Sequence, residues 1–133
     1  MAFSVWEAPK PSNGFGLLIG ALKQYGDLNV PLPHGPDFFQ FSDEDTMRTT
    51  LQGIGLHDVT VKHIEQLWAL ETPMAIIQAV LEGAVRARGL LLAQTGAARS
   101  EIEAAVGKGM KLYETTENQY AVPMPAVVGA GMK

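Results

Sequence analysis

Cysteine is absent from this 133-residue chain, which excludes disulfides, thiolate nucleophiles and every zinc site that needs a sulfur ligand. That composition fits a reducing compartment, and a cytoplasmic location is the expectation. No G-K-S/T phosphate loop occurs anywhere. A surplus of positive charge is also lacking: ten Lys and Arg stand against fourteen Asp and Glu, for a net charge of -4. Duplex binding needs basic side chains to displace phosphate counterions, so no nucleic-acid partner is expected. The opening MAFSVWEAPKP has neither the basic start nor the sustained apolar run of a secretory leader. The longest apolar stretches, Leu90 to Ala93 and Ala126 to Met132, fall far short of the roughly 20 residues that span a bilayer, so no membrane partner is expected.

What is present is enough to fold. Hydrophobic residues make up 47% of the chain and charged ones 18%, so apolar burial can offset the chain entropy lost on folding. The length is that of one domain, residues 1–133, with one core.

Local pattern supplies the elements. Ala2 to Trp6 reads as a short strand of β-formers stopped by Pro9 and Pro11. Ser12 is the expected N-cap of a helix from about Asn13 to Tyr25, with Phe15, Leu18, Leu22 and Tyr25 on one side, ended by Gly26 and Asp27. The proline-rich LNVPLPHGPDFFQF must be an extended or turning loop. Ser42 with Asp45 resembles a capping box opening a helix through Met47 and Leu51 to Gly53 or Gly55. Val59 to Leu70 alternates with changes of parity, which predicts a strand with one or more bulges. Thr72 and Pro73 open what should be the longest helix, with a stripe from Ile77 through Leu81, Ala84 and Leu91 toward Gln94. Ser100 and Glu103 form a second capping box, with Ile102, Val106, Met110 and Tyr113 marking the buried side of the helix that follows. Val122 to Met132 closes the chain as a strand with its prolines at the beginning.

Few groups carry an unmistakable chemical signal. Gly14, Gly16 and Gly20 give G-x-G-x-x-x-G, one residue too long for the dinucleotide fingerprint and separated from the preceding strand by Pro9 to Ser12. They read as helix packing or a frayed helix start. In a regular strand His57 and His63 would lie about 20 Å apart, too far to share one metal, and no metal site is expected. A single histidine can serve as general base, and His34, in the proline loop, is the strongest candidate of the three. Asp43, Glu44 and Asp45 compensate a helix dipole. Glu82 and Arg86 stand at i,i+4 spacing and predict a solvated ion pair, while Arg88 lies on another face, where a ligand or an interface is within reach. The aromatic residues Trp6, Phe38, Phe39, Phe41 and Trp68 fall at strand ends and in the loop, as in an apolar substrate pocket or a small core. No nucleophile and base pair stands out, and the catalytic residues stay unassigned.

The segments AFSVWEAP, VPLPHGPDFFQFSDEDTMRTTLQGIGLHDVTV and MPAVVGAGMK, in that order and spacing, resemble the C-terminal half of class I S-adenosylmethionine-dependent methyltransferases acting on small molecules. The resemblance covers nearly the whole chain. It implies the fifth, sixth and seventh strands of a Rossmann-like sheet, in the order 5-7-6, with Ala2 to Trp6 at one edge and Val127 to Ala130 central. It also implies that the donor-binding half, with its glycine-rich turn and acidic residue, is absent, so that S-adenosylmethionine is a cofactor only if that half is supplied and the chain itself holds no cofactor-binding residues. A shortened gene product, an expressed fragment and a natural half working with another chain all fit that implication.

The expected fold is therefore α+β, a small mixed sheet in the order 5-7-6 with about four helices. The expected function is the substrate-side half of a methyltransferase for a small acceptor, not active alone. Trp6, carried over from the family pattern, would line the acceptor pocket, with His34, Phe38 and Trp68 as further candidates read from their placement. The edge strand that would pair with the missing half predicts either a homodimer or a separate chain supplying that half. The competing expectation is a non-catalytic, homo-oligomeric ligand-binding or assembly domain, in which the same aromatics form a core or an interface.

Overall fold

The computed structural model describes residues 1–33 and 35–133. In chain order the elements are β1 (Ala2–Trp6), α1 (Gly14–Tyr25), a 3-10 turn (Gln40–Ser42), α2 (Glu44–Gly53), β2 (His57–Ile64), β3 (Leu67–Leu70), α3 (Ala75–Gly83), α4 (Val85–Leu92), α5 (Gly96–Met110), a second 3-10 turn (Lys111–Tyr113), β4 (Tyr120–Pro123) and β5 (Ala126–Met132). The class is α+β, and no described helix is long and apolar enough to cross a membrane.

The strands do not form one mixed sheet. A three-stranded sheet runs β1-β5-β2, with both pairings antiparallel, and β3 pairs with β4 in a separate two-stranded sheet. Each of the two long strands expected from the sequence is divided. The stretch 59–70 breaks at Glu65 and Gln66, and the closing stretch breaks at Met124 and Pro125, where proline removes a ladder donor. The two breaks meet, since the Met124 N–H donates to the Gln66 carbonyl at 2.9 Å. The parity changes expected at Ile64 and around Leu67 coincide with the break between β2 and β3, and pairing from Thr60 to Ile64 is regular. The register irregularity lies earlier, between His57 and Thr60, where Asp58 adopts a left-handed φ of 51°.

Helix boundaries moved wherever a better cap was available. Asn13, not Ser12, caps α1, its Oδ1 accepting from the Gly16 N–H at 2.8 Å. Asp43 caps α2 through the Thr46 N–H at 2.9 Å, so the Ser42–Asp45 box is displaced by one residue. Thr95 caps α5, and Ser100 lies inside the helix, its hydroxyl donating to the Gly96 carbonyl at 3.1 Å. The helix expected from Thr72 to Gln94 is broken into α3 and α4 at Ala84, which is extended at φ -126° and ψ 101°; Gly83 before it and β-branched Val85 after it are both poor helix formers. The longest helix is α5, with 15 residues.

The chain gathers into two compact units, and the buried apolar side chains form two clusters rather than one core. The first unit comprises Met1–Ala8, Gly35–Leu67 and Pro123–Lys133. Met47 and Leu51 of α2 pack with Leu56 and Val127 against the face of the three-stranded sheet that carries Phe3, Val5, Val59 and Val61. Gly129 lets α2 approach β5, because a Cβ there would overlap the Met47 sulfur and lie 2.9 Å from Leu51 Cδ1.

The second unit comprises residues 9–33 and Trp68–Val122. Leu18 and Leu22 of α1 pack with Ile76 of α3 and with Ile102, Val106 and Met110 of α5. Those last three, the stripe predicted for this helix, are completely buried. Each such side chain stabilises the fold by about 1.5–3 kcal/mol relative to exposure.

Candidate functional site

The four candidate binding residues fall as follows. Trp6 and Phe38 belong to the first unit and Trp68 to the second, while His34 lies outside the described residues. Trp6 ends β1, opposite Ala126 of β5, which also pairs with Ile64 of β2. By strand alternation this row lies on the sheet face opposite the one α2 covers. Phe38 is 54% exposed and packs edge-on against Phe39, ring centroids 4.8 Å apart. Phe41 turns inward instead, edge-on to Phe3 at 5.9 Å. The aromatics of the proline loop therefore divide between surface and core.

The glycine-rich stretch forms no cradle for a donor nucleotide. Gly14 and Gly16 open α1, and the space a Cβ would take at Gly16 is filled by the Lys10 backbone carbonyl, while Gly20 faces open space. These residues do not fit S-adenosylmethionine, and no methyl-donor chemistry follows from them.

The expected ion pair between Glu82 and Arg86 is not made. The break at Ala84 turns α4 away, so Glu82 accepts from Gln78 Nε2 at 2.5 Å and Arg86 donates to the Pro33 carbonyl at 2.9 Å. Arg88 donates to the Leu81 carbonyl at 3.3 Å, near the end of α3. Among the described residues no three His, Asp or Glu side chains gather as a metal site.

The most organised polar arrangement was not legible in the sequence. Glu7 follows β1 directly and extends its ladder, its N–H donating to the Pro125 carbonyl at 2.9 Å. Its residue exposure is only 8%, and its Oε1 lies 3.1 Å from Nδ1 of His63. His63 pairs with Val127 in the row that also holds Val5. Because β1 and β2 both run antiparallel to β5, their carboxyl ends lie at the same end of the sheet, and Glu7 and His63 meet there. A buried carboxylate is costly unless hydrogen-bonded, so the His63 contact is part of what makes Glu7 tolerable. Fifty-six positions separate the two residues, and only the sheet register joins them. His57 has its own carboxylate, Asp58, at 3.0 Å, but both side chains are more than half exposed.

No protein-family model matches the chain, and a search of curated proteins finds no match.

Proposed function

We propose that the chain is the substrate-side portion of a class I S-adenosylmethionine-dependent methyltransferase, lining the site for a small aromatic or apolar acceptor, with the donor-binding residues supplied from outside this sequence. The observation that carries this reading is the three-stranded sheet itself, in which the last strand in sequence is inserted antiparallel between the first and the second. Together with the residues AFSVWEAP and MPAVVGAGMK it supports the 5-7-6 arrangement of the family. The protein's part in such a reaction is to position the acceptor. Trp6, at the carboxyl end of β1, is the proposed pocket wall, with Phe38 of the same unit as a secondary candidate.

The test is an NMR titration of the chain with small phenols and indoles, read at the two Trp indole N–H signals, beside a calorimetric titration with S-adenosylmethionine and its demethylated product. Saturable acceptor shifts at Trp6, with no donor heat, are the expected result. Donor binding without acceptor binding, or neither, would overturn the reading.

A second reading is a homo-oligomeric assembly domain, favoured by the outer edge of β1. In the described strands β1 pairs only with β5, and Ala2–Trp6 carries no charge, proline or bulge to block further pairing. A second copy, or a chain carrying the donor-binding half, would add there.

A further inference from the structure

We propose that His63, held by Glu7 as the Nδ1–H tautomer, presents Nε2 as a hydrogen-bond acceptor for the neutral hydroxyl group of a small ligand. An ionised carboxylate only accepts hydrogen bonds, so at 3.1 Å from Glu7 Oε1 the His63 Nδ1 must donate. In the neutral ring the lone pair then resides on Nε2. The same logic fixes histidine tautomers wherever a buried carboxylate stands behind an imidazole.

The burial of the pair is asymmetric in the sense this requires. The Glu7 side chain is 11% exposed and that of His63 45%, so the carboxylate lies inside and part of the ring faces solvent. His57 and Asp58 provide the contrast within the same strand, at 61% and 72% exposure. There water competes for both partners, and no tautomer is enforced. The pair sits at the shared carboxyl ends of β1 and β2.

Charge selects the ligand class. Lys62 and Ile64 alternate to the opposite face of β2, and the carboxylate in contact with His63 is that of Glu7. That carboxylate and the Nε2 lone pair both disfavour an anion, and a neutral O–H donor meets the lone pair without bringing a charge of its own. The tautomer and its hydroxyl ligand are independent of the methyltransferase reading, since Trp6 lies on the other face of the sheet from His63.

The experiment is 15N NMR of the histidine rings in the full chain, with His63 assigned by His63→Gln, followed by titration with phenol, methylammonium and inorganic phosphate. The expected result is Nδ1–H at His63 and a tautomer mixture at His57, with a saturable phenol shift at His63 Nε2. Glu7→Gln should weaken that binding about tenfold, the loss of one charge-assisted partner. An Nε2–H ring at His63 in the unaltered protein overturns the proposal whether or not the variant folds. A phenol titration without saturation at His63, or binding of methylammonium or phosphate in its place, overturns the ligand class. Absence of acceptor shifts at Trp6 with an Nδ1–H His63 that binds phenol would defeat the methyltransferase reading and leave this one standing.

Discussion

The side chain of Gln94 clasps the backbone of Asp27 from both sides: Oε1 accepts from the Asp27 N–H at 2.7 Å, and Nε2 donates to the Asp27 carbonyl at 2.8 Å. The same Nε2 donates to the Leu90 carbonyl, also at 2.8 Å. Gln94 itself is 7% exposed, so a buried side chain ties the exit of α1 to the end of α4. Gly26 belongs to the same closure, because a Cβ there would lie 2.8 Å from the Leu22 carbonyl and 2.9 Å from Gln94 Oε1.

Gln94→Ala should destabilise the protein by about 1–2 kcal/mol, since it removes three hydrogen bonds of a buried side chain while exposed Asp27 can turn its backbone groups to water. Gln94→Glu keeps the acceptor but turns a carboxylate toward two carbonyls. It should be at least as damaging at neutral pH and partly recover in acid, where a protonated Glu can donate. Urea unfolding at both pH values reads the difference, and equal losses at the two would contradict the clasp.

Gly129→Ala should cost about 1–3 kcal/mol, because Met47 and Leu51 are completely buried and have little room to withdraw. Shortening Met47 in the same chain should recover part of that loss. The two substitutions should therefore be non-additive, with the double variant more stable than the sum of the singles requires. Denaturant midpoints of the four proteins in the cycle decide it, and strict additivity would mean that α2 moves as a body instead.

Asp43 gives the fold an acid-sensitive cap. The hydrogen bond from the Thr46 backbone N–H, then that from the Thr46 hydroxyl, holds its carboxyl below the usual carboxylate value. A carboxylate whose folded value is depressed stabilises the native state above its unfolded value and loses that contribution as pH falls through the folded one. Melting temperature should therefore drop below about pH 4 less steeply in Asp43→Asn than in the parent, because the amide keeps the cap without titrating. Asp43→Ala should be less stable than Asp43→Asn at neutral pH. Parallel pH profiles for parent and Asp43→Asn would remove the assignment.

How far the sequence reaches is visible in particular residues. Ala2–Trp6 was legible because the β-formers Phe3, Val5 and Trp6 are followed by Pro9 and Pro11, and the Ile102, Val106 and Met110 stripe because a period of 3.6 survives packing. The division of 59–70 and of the closing strand was not, since neither run contains a signal saying which residue changes sheet. Caps shifted by one residue because Asn13 and Asp43 stand beside serines of similar capping strength. The Glu7–His63 contact was out of reach, as it exists only once β5 has brought β1 and β2 to its two sides. Glu82 and Arg86 misled for a related reason: i,i+4 spacing is informative only inside an unbroken helix.

The two edges of the three-stranded sheet are unlike, and the difference predicts which one associates. Along β2 the residues His57, Asp58 and Lys62, with the irregularity at Asp58, are devices that blunt an edge. Along β1 there are none. Two β1 strands paired antiparallel about a two-fold axis would set Ser4 opposite its copy, with Phe3 opposite Val5 on either side. Ser4 is exposed, so Ser4→Lys should leave the folded unit intact while placing two like charges face to face, at a cost of roughly 0.2–1 kcal/mol for the direct pair. Lys62→Ala, on the other edge, should leave association unchanged. Light scattering across the micromolar range should find the parent and Lys62→Ala dimeric and Ser4→Lys shifted toward monomer. A parent that stays monomeric throughout would exclude self-pairing at β1 and leave that edge for a different chain.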